Sequence, residues 1–353
     1  MTPAFQQLMA NAARLTQGGD LRAATAAIQA ALNQGAAPSY SAPAPADDTI
    51  DVEARELPRT GGNGAAADTG PAPGRFIDGD SGHGPSRRTW KLYIPPGAGE
   101  RALPLVVMLH GCTQDPDDFA AGTAMNRQAQ AHGFYVLYPA QSAQANPQRC
   151  WNWFKHSHQA RGRGEPALIA AMTREVMAGH TVDAARVFVA GLSAGGAMAA
   201  IVGQAYPDLF AAVGVHSGLA AGSARDLPSA LAAMKSGGQP APPPAQALPT
   251  IVFHGSGDAT VHPRNGEQAA AASTAGLSAT ETQQGQAPAG RKFTRHIHRG
   301  GRGDVLAEHW LVHGAPHAWS GGSREGSYTD SRGPDASAEM IRFFLEHPRR
   351  ATS

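Results

Sequence analysis

One stretch constrains this chain more than any other. Val187-Phe188-Val189-Ala190, apolar at every position, breaks at Gly191-Leu192-Ser193-Ala194-Gly195 and resumes as Gly196-Ala197-Met198-Ala199-Ala200-Ile201. A strand apolar throughout belongs inside a sheet covered on both faces, and the run after the break reads as a helix. Small residues at Gly191 and Gly195 let the chain turn sharply from one into the other. The turn raises a serine hydroxyl at a helix N-terminus, where backbone N–H groups and the helix dipole meet developing negative charge. Among 42 glycines the five-residue pattern alone is weak. Its strand and helix flanks give it weight.

The remainder supports a sheet-and-helix reading. Strand-like runs fall at 76–77, 89–94, 105–109, 134–138, 186–190, 211–215 and 250–253, with a strand pair near 293–298 and 306–312. Helical patterns lie between them, at 119–131, 166–179 (Pro166 suits a first helical position), 194–206 and 334–346. Such alternation predicts a mostly parallel sheet flanked by helices, one domain over 75–349. Upstream, 1–34 reads as a short helical hairpin interrupted at Gly18-Gly19-Asp20. Residues 35–74, rich in Ala, Pro, Gly, Asp and Thr, read as a linker without enough apolar surface to fold. The Ala/Pro-rich stretch 219–248 is an excursion placed where lids often sit, and a plain surface insertion explains it equally well.

Composition narrows the class. With 42% hydrophobic and 16% charged residues the chain is globular, and a net charge of +1 without a Lys/Arg cluster gives no footprint for nucleic acid or an anionic membrane. No run reaches the length of a spanning helix. Gln6, Gln7, Asn11 and Arg14 interrupt any signal-peptide core, so the cytoplasm is the default location. Cys112 and Cys150 are too few for a disulfide scaffold and lack zinc-site spacing, although they could pair. The 15 histidines form no two-histidine helix motif, and no metal site is expected.

A serine hydroxyl needs a base, an acid to orient that base, and an oxyanion hole. In sheets of this kind the acid and then the base follow the serine on loops after later strands. Thr250-Ile251-Val252-Phe253 leads into His254-Gly255-Ser256-Gly257-Asp258, so Asp258 is the candidate acid; Asp304 and Asp330 follow no core strand directly. Trp310-Leu311-Val312 leads into Gly314-Ala315-Pro316-His317, so His317 is the candidate base. His309 and His313 come too early, and His110 and His254 read as structural. The oxyanion candidates are the amides of Ala194 and of Cys112 in the loop His110-Gly111-Cys112. This order predicts an α/β-hydrolase fold with a Ser193–Asp258–His317 triad that requires no metal or organic cofactor.

Leu109-His110-Gly111-Cys112-Thr113-Gln114, Cys150-Trp151-Asn152-Trp153-Phe154, the elbow through Gly196, and Gly314-Ala315-Pro316-His317-Ala318-Trp319 together resemble the poly(3-hydroxybutyrate) depolymerase family of esterases. The likeness spans about 74–346 in family order. It implies an ester or polyester substrate, polyhydroxybutyrate or 3-hydroxyalkanoate oligomers, with feruloyl, acetyl-xylan and short-chain carboxylesterase activities as alternatives. A non-catalytic binding protein on the same fold is a further one. The resemblance also implies a Cys112–Cys150 disulfide, which favours an extracellular or periplasmic location. It places Trp151, Trp153, Trp319 and, more weakly, Tyr328 near the cleft as substrate contacts. Oligomeric state and the role of residues 1–74 are not legible.

Overall fold

Side chains alternate across a strand, so a strand apolar at every position must feed two cores at once. A computed structural model shows this arrangement; it describes residues 74–82, 87–238, 246–275, 277 and 279–349. The hairpin expected over 1–34 and all but the last residue of the expected linker lie outside the described residues. The ten-stranded sheet comprises β1 (Arg75–Ser81), β2 (Arg88–Ile94), β3 (Leu103–Leu109), β4 (Tyr135–Pro139), β5 (Val182–Leu192), β6 (Ala212–His216), β7 (Thr250–Gly255), β8 (Glu281–Gln286), β9 (Lys292–Arg299) and β10 (Val305–Val312). Their order is β1-β2-β4-β3-β5-β6-β7-β10-β9-β8. The six from β4 to β10 are parallel, and antiparallel strands close both edges.

Alternate residues of β3 and β5 divide between the faces. Leu105, Val107, Val187 and Val189 join one core, with Ile169, Met172 and Val176 of α3 (Gly164–Gly179) and Met198, Ile201 and Val202 of α4 (Ala194–Ala205). Val106, Met108, Phe188 and Ala190 join the other. There they meet Phe119 of α1 (Pro116–Thr123), Met125 and Ala129 of α2 (Met125–His132), and Met340, Phe343 and Phe344 of α7 (Ala336–Glu346). Phe188 and Phe344 stack with ring centroids 4.9 Å apart.

Three local features depart from the expected pattern. The helix predicted over 119–131 is two helices, because Ala124 turns left-handed at φ 53°. Thr123 Oγ1 donates to Phe119 O (2.7 Å), a local bond of the kind that competes with a helical ladder. The 219–248 excursion contains α5 (Leu227–Ser236), started by an Asp226–Ser229 capping box and Pro228. Strand β8 carries no apolar alternation, and its pairing with β9 defines it. Helix α6 (Arg264–Ser273) follows Pro263. Among the described residues no helix is long and apolar enough to cross a membrane.

Candidate active site

Ser193 stands between β5 and α4 at φ 56°, ψ −118°, a conformation that residues with a Cβ rarely adopt. Its neighbours hold it there. The Ser193 N–H donates to His216 O (2.9 Å), and its carbonyl accepts from Ala197 N–H (2.9 Å). The turn requires glycine because of close approach rather than backbone freedom. A Cβ on Gly195 would lie 2.0 Å from Leu109 O, and one on Gly191 would lie 2.4 Å from Gly195 C and O. The elbow is therefore pressed against the end of β3.

Strands β6, β7 and β10 are parallel neighbours, so their carboxyl ends come out side by side. The loops leaving β7 and β10 are bonded together: Ser256 N–H donates to Val312 O (2.9 Å), Gly257 N–H to Ala315 O (3.1 Å) and Gly314 N–H to Ser256 Oγ (2.8 Å). Asp258 and His317 meet at their tips, with His317 Nδ1 2.7 Å from Asp258 Oδ2. The other carboxylate oxygen accepts from Thr260 N–H (2.9 Å) and Val261 N–H (2.8 Å). Burial alone would raise the Asp258 carboxyl. The nearby His254 and His317 and the Val261 amide outweigh burial and hold it well below the usual carboxylate range. It is an anion at any working pH, and it fixes the His317 tautomer with the proton on Nδ1 and Nε2 left for a second partner.

His216 links this side to Ser193. Its carbonyl holds Ser193, its Nε2 accepts from Ser320 N–H (2.9 Å), and its ring stacks on Trp319 at 4.9 Å. Burial, with the nearby His254 and His317, keeps this imidazole well below its ordinary pKa, so it is neutral.

On the opposite side, Cys112 and Cys150 are disulfide-bonded. Thr113, at φ 67°, donates its N–H to Gln148 O (2.7 Å), and Gly111 N–H donates to Gln114 Oε1 (2.9 Å). Among the described residues the amides of Cys112 and Ala194 have no protein acceptor. Beneath the disulfide lies Glu165, buried and unpredicted. Its carboxylate accepts from Gln141 Nε2 (2.6 Å), Asn152 N–H (2.6 Å) and Asn152 Nδ2 (2.5 Å), and His158 lies 3.4 Å away. Burial pushes its pKa up, and these donors, His158 first, bring it below the ordinary value. Gln141 also donates to Cys150 O (3.0 Å), so one buried anion fixes the far end of the disulfide.

The expected tryptophan contacts need correction. Trp151 and Trp319 are 1% exposed and Trp153 is 6% exposed. Trp319 donates from Nε1 to Ser337 Oγ (3.1 Å) and packs on His216 and Phe119. Trp151 packs on His110, and Trp153 packs on Phe154. These rings belong to the core and present almost no surface to a ligand. Tyr328, by contrast, is 47% exposed. Asp330, set aside as an acid, pairs with Arg291 (2.5 Å). The described residues include no cluster of three or more potential metal ligands. A cleft of about 1050 Å³ borders His110, Asp115 and Arg149 but neither Ser193 nor His317. Of its basic residues, Arg87, Lys91 and Arg149 are paired with Asp80, Asp117 and Asp115, and volume alone points away from Ser193 and His317.

Sheet order, elbow and loop positions define an α/β-hydrolase fold. Acetyl xylan esterase from Aspergillus awamori shares it, with a TM-score of 0.61 over 77% of this chain and 100% of that one at 20% identity. Within that fold the chain belongs to the esterase PHB depolymerase family, whose model matches residues 88–275, just over half its length. It is 32% identical over 238 residues to poly(3-hydroxyalkanoate) depolymerase C of Paucimonas lemoignei, covering 64% of this chain and 57% of that one. It is 29% identical over 215 residues to acetylxylan esterase A of Emericella nidulans (55% and 69%). Feruloyl esterase B of Thermothelomyces thermophilus is 31% identical over 150 residues (42% and 50%). The chain thus spans about half to two thirds of the length of these relatives.

Proposed function

We propose that this chain is a serine esterase acting through an acyl-enzyme. His317 takes the Ser193 proton as Oγ attacks the ester carbonyl, and Asp258 stabilises the resulting imidazolium. The amides of Cys112 and Ala194 receive the oxyanion. Collapse expels the alcohol, which takes the proton from His317. Water, deprotonated in turn by His317, then cleaves the acyl-enzyme and releases the acid. The observation that carries this reading is the 2.7 Å Asp258–His317 bond at the carboxyl ends of β7 and β10, in the same parallel run of strands as the Ser193 elbow and separated from it by β6. Ser193→Ala should retain the circular dichroism of the parent and abolish hydrolysis of short p-nitrophenyl esters. Turnover near that of the parent in this variant would remove the assignment.

For the substrate we favour 3-hydroxyalkanoate oligomers or polyhydroxybutyrate, supported by the likeness to poly(3-hydroxyalkanoate) depolymerase C. Acetylated xylan or feruloyl esters form the second reading, supported by the other relatives. Side-by-side turnover of 3-hydroxybutyrate oligomers, amorphous polyester, acetylated xylosides and feruloyl esters separates the two. The disulfide supports an oxidising compartment, extracellular or periplasmic. Alkylation of the protein in its native cells before lysis, followed by mass spectrometry, tests this; free thiols would return it to the cytoplasm.

A further inference from the structure

Tyr328 is the aromatic residue that the fold leaves in the open beside the site. Its backbone sits at φ 51°, a left-handed conformation that a bulky residue adopts only where its surroundings impose it. Those surroundings are specific. Its carbonyl accepts from Trp319 N–H (2.7 Å), two residues beyond His317. The preceding Ser327 is fastened to Asp118 through its N–H (2.8 Å) and its Oγ (2.6 Å). Its carbonyl accepts from Gln114 Nε2 (3.3 Å), whose Oε1 holds Gly111 N–H. One strained residue therefore spans the loop of the candidate base and the loop of the candidate oxyanion hole.

The direction of its hydroxyl proton follows from Thr113. Thr113 Oγ1 lies 2.6 Å from Cys112 O, which can only accept, so the single threonine proton points there. Tyr328 Oη lies 3.1 Å from the same Oγ1. That contact can be a hydrogen bond only if the tyrosine supplies its own proton. Both protons are then directed inward, and Tyr328 Oη presents only lone pairs to the solvent side. Ester oxygens, which are acceptors, cannot bond to it; a hydroxyl can.

We propose that Tyr328, with its proton held by Thr113, is a specificity-determining residue that accepts a hydrogen bond from a hydroxyl group carried by the ester substrate. The proposal rests on the esterase reading above. Two sources share this chemistry, the free hydroxyl of a hydroxyacyl group and the hydroxyl beside the acyl group of a partly acylated sugar. The test measures two ratios of kcat/KM: p-nitrophenyl 3-hydroxybutyrate over p-nitrophenyl butyrate, and a xyloside monoacetate over its O-methylated analogue. In one pair Tyr328→Phe should lower the ratio about 3- to 10-fold, the range of one neutral hydrogen bond. Thr113→Ala frees the tyrosine proton to turn outward, where a hydroxyl and an ether oxygen can both accept it, so it should lower the xyloside ratio and leave the hydroxybutyrate ratio in place, and Thr113→Ser should retain both. The responding pair identifies the source of the hydroxyl. Ratios unchanged within twofold in both pairs, with turnover intact, overturn the role of Tyr328 alone. Absence of turnover of every ester by the unmutated protein overturns the esterase reading and this proposal with it.

Discussion

The two loops that flank Ser193 are held by different means. On the side of Asp258 and His317, neighbouring parallel strands end together, and short loops reach each other through backbone hydrogen bonds around one buried carboxylate. On the side of Cys112 the chain leaves β4 and runs from Ala140 to Arg163 with a single 3-10 turn at His156–His158 before α3 begins. There a disulfide and a second buried carboxylate, Glu165, supply the fixation that strand ends supply opposite. Where the sheet aligns the loops, hydrogen bonds suffice. Where it does not, a covalent tie and a buried anion stand in.

The largest break in this comparison should come from Asp258→Asn. The variant loses the charge that orients His317, and kcat should fall on the order of 10³- to 10⁴-fold with little change in melting temperature. A fall below tenfold would show that the base side does not depend on its carboxylate. Next, replacing both Cys112 and Cys150 by Ser should cost about 4 kcal/mol in urea unfolding, from the chain-entropy estimate for their separation of 38 residues. Because an oxyanion amide acts in the transition state, kcat should fall more than KM rises. Loss of stability with kcat intact would separate the disulfide from the site.

Acid should weaken both sides. Burial holds His110, on the oxyanion side, near a pKa of 4, and burial with neighbouring histidines holds His309, on β10, near 3. Unfolded, each titrates at about 6.5. Their contribution is complete above that value and is lost as pH falls from about 6.5 toward the folded values. Each should remove on the order of 2–3 kcal/mol by pH 4.5. Stability measured by denaturant at pH 7, 5.5 and 4.5 should show the slope, and a flat profile would contradict it. The smallest effect is expected from Glu165→Gln, which puts an amide donor where three donors already converge. About 1–2 kcal/mol of stability should go, with a modest drop in kcat and the pH profile of kcat unmoved. A shifted profile would mean that the two sides are not independent.

The candidate residues that stand in series along the chain were the legible ones. Ser193, Asp258 and His317 each follow an apolar strand, and period and position place them without any knowledge of packing. Glu165, Gln114, Asp118 and His216 were not legible, because their partners lie far away in sequence; Asp118 meets Ser327 across 209 positions. The short-range bonds of Gln114, to Gly111 and to Asp118, were the local traces of that network. The tryptophans misled because an aromatic residue in a cleft motif reads the same whether its ring faces a ligand or the core. Helix α5 was obscured by its Ala/Pro-rich surroundings, although Asp226 and Pro228 are ordinary start signals.

The contact between Gly195 and Leu109 O has a mechanical consequence. A Cβ there would fall 2.0 Å from that carbonyl, so the elbow that carries Ser193 and the end of β3 are in direct backbone contact. The cleft therefore has one fixed jaw. Adjustment to acyl groups of different bulk must come from residues outside this contact. Variation in substrate preference among engineered forms of this chain should accumulate there, and substitutions at the elbow should yield inactive protein rather than altered taste.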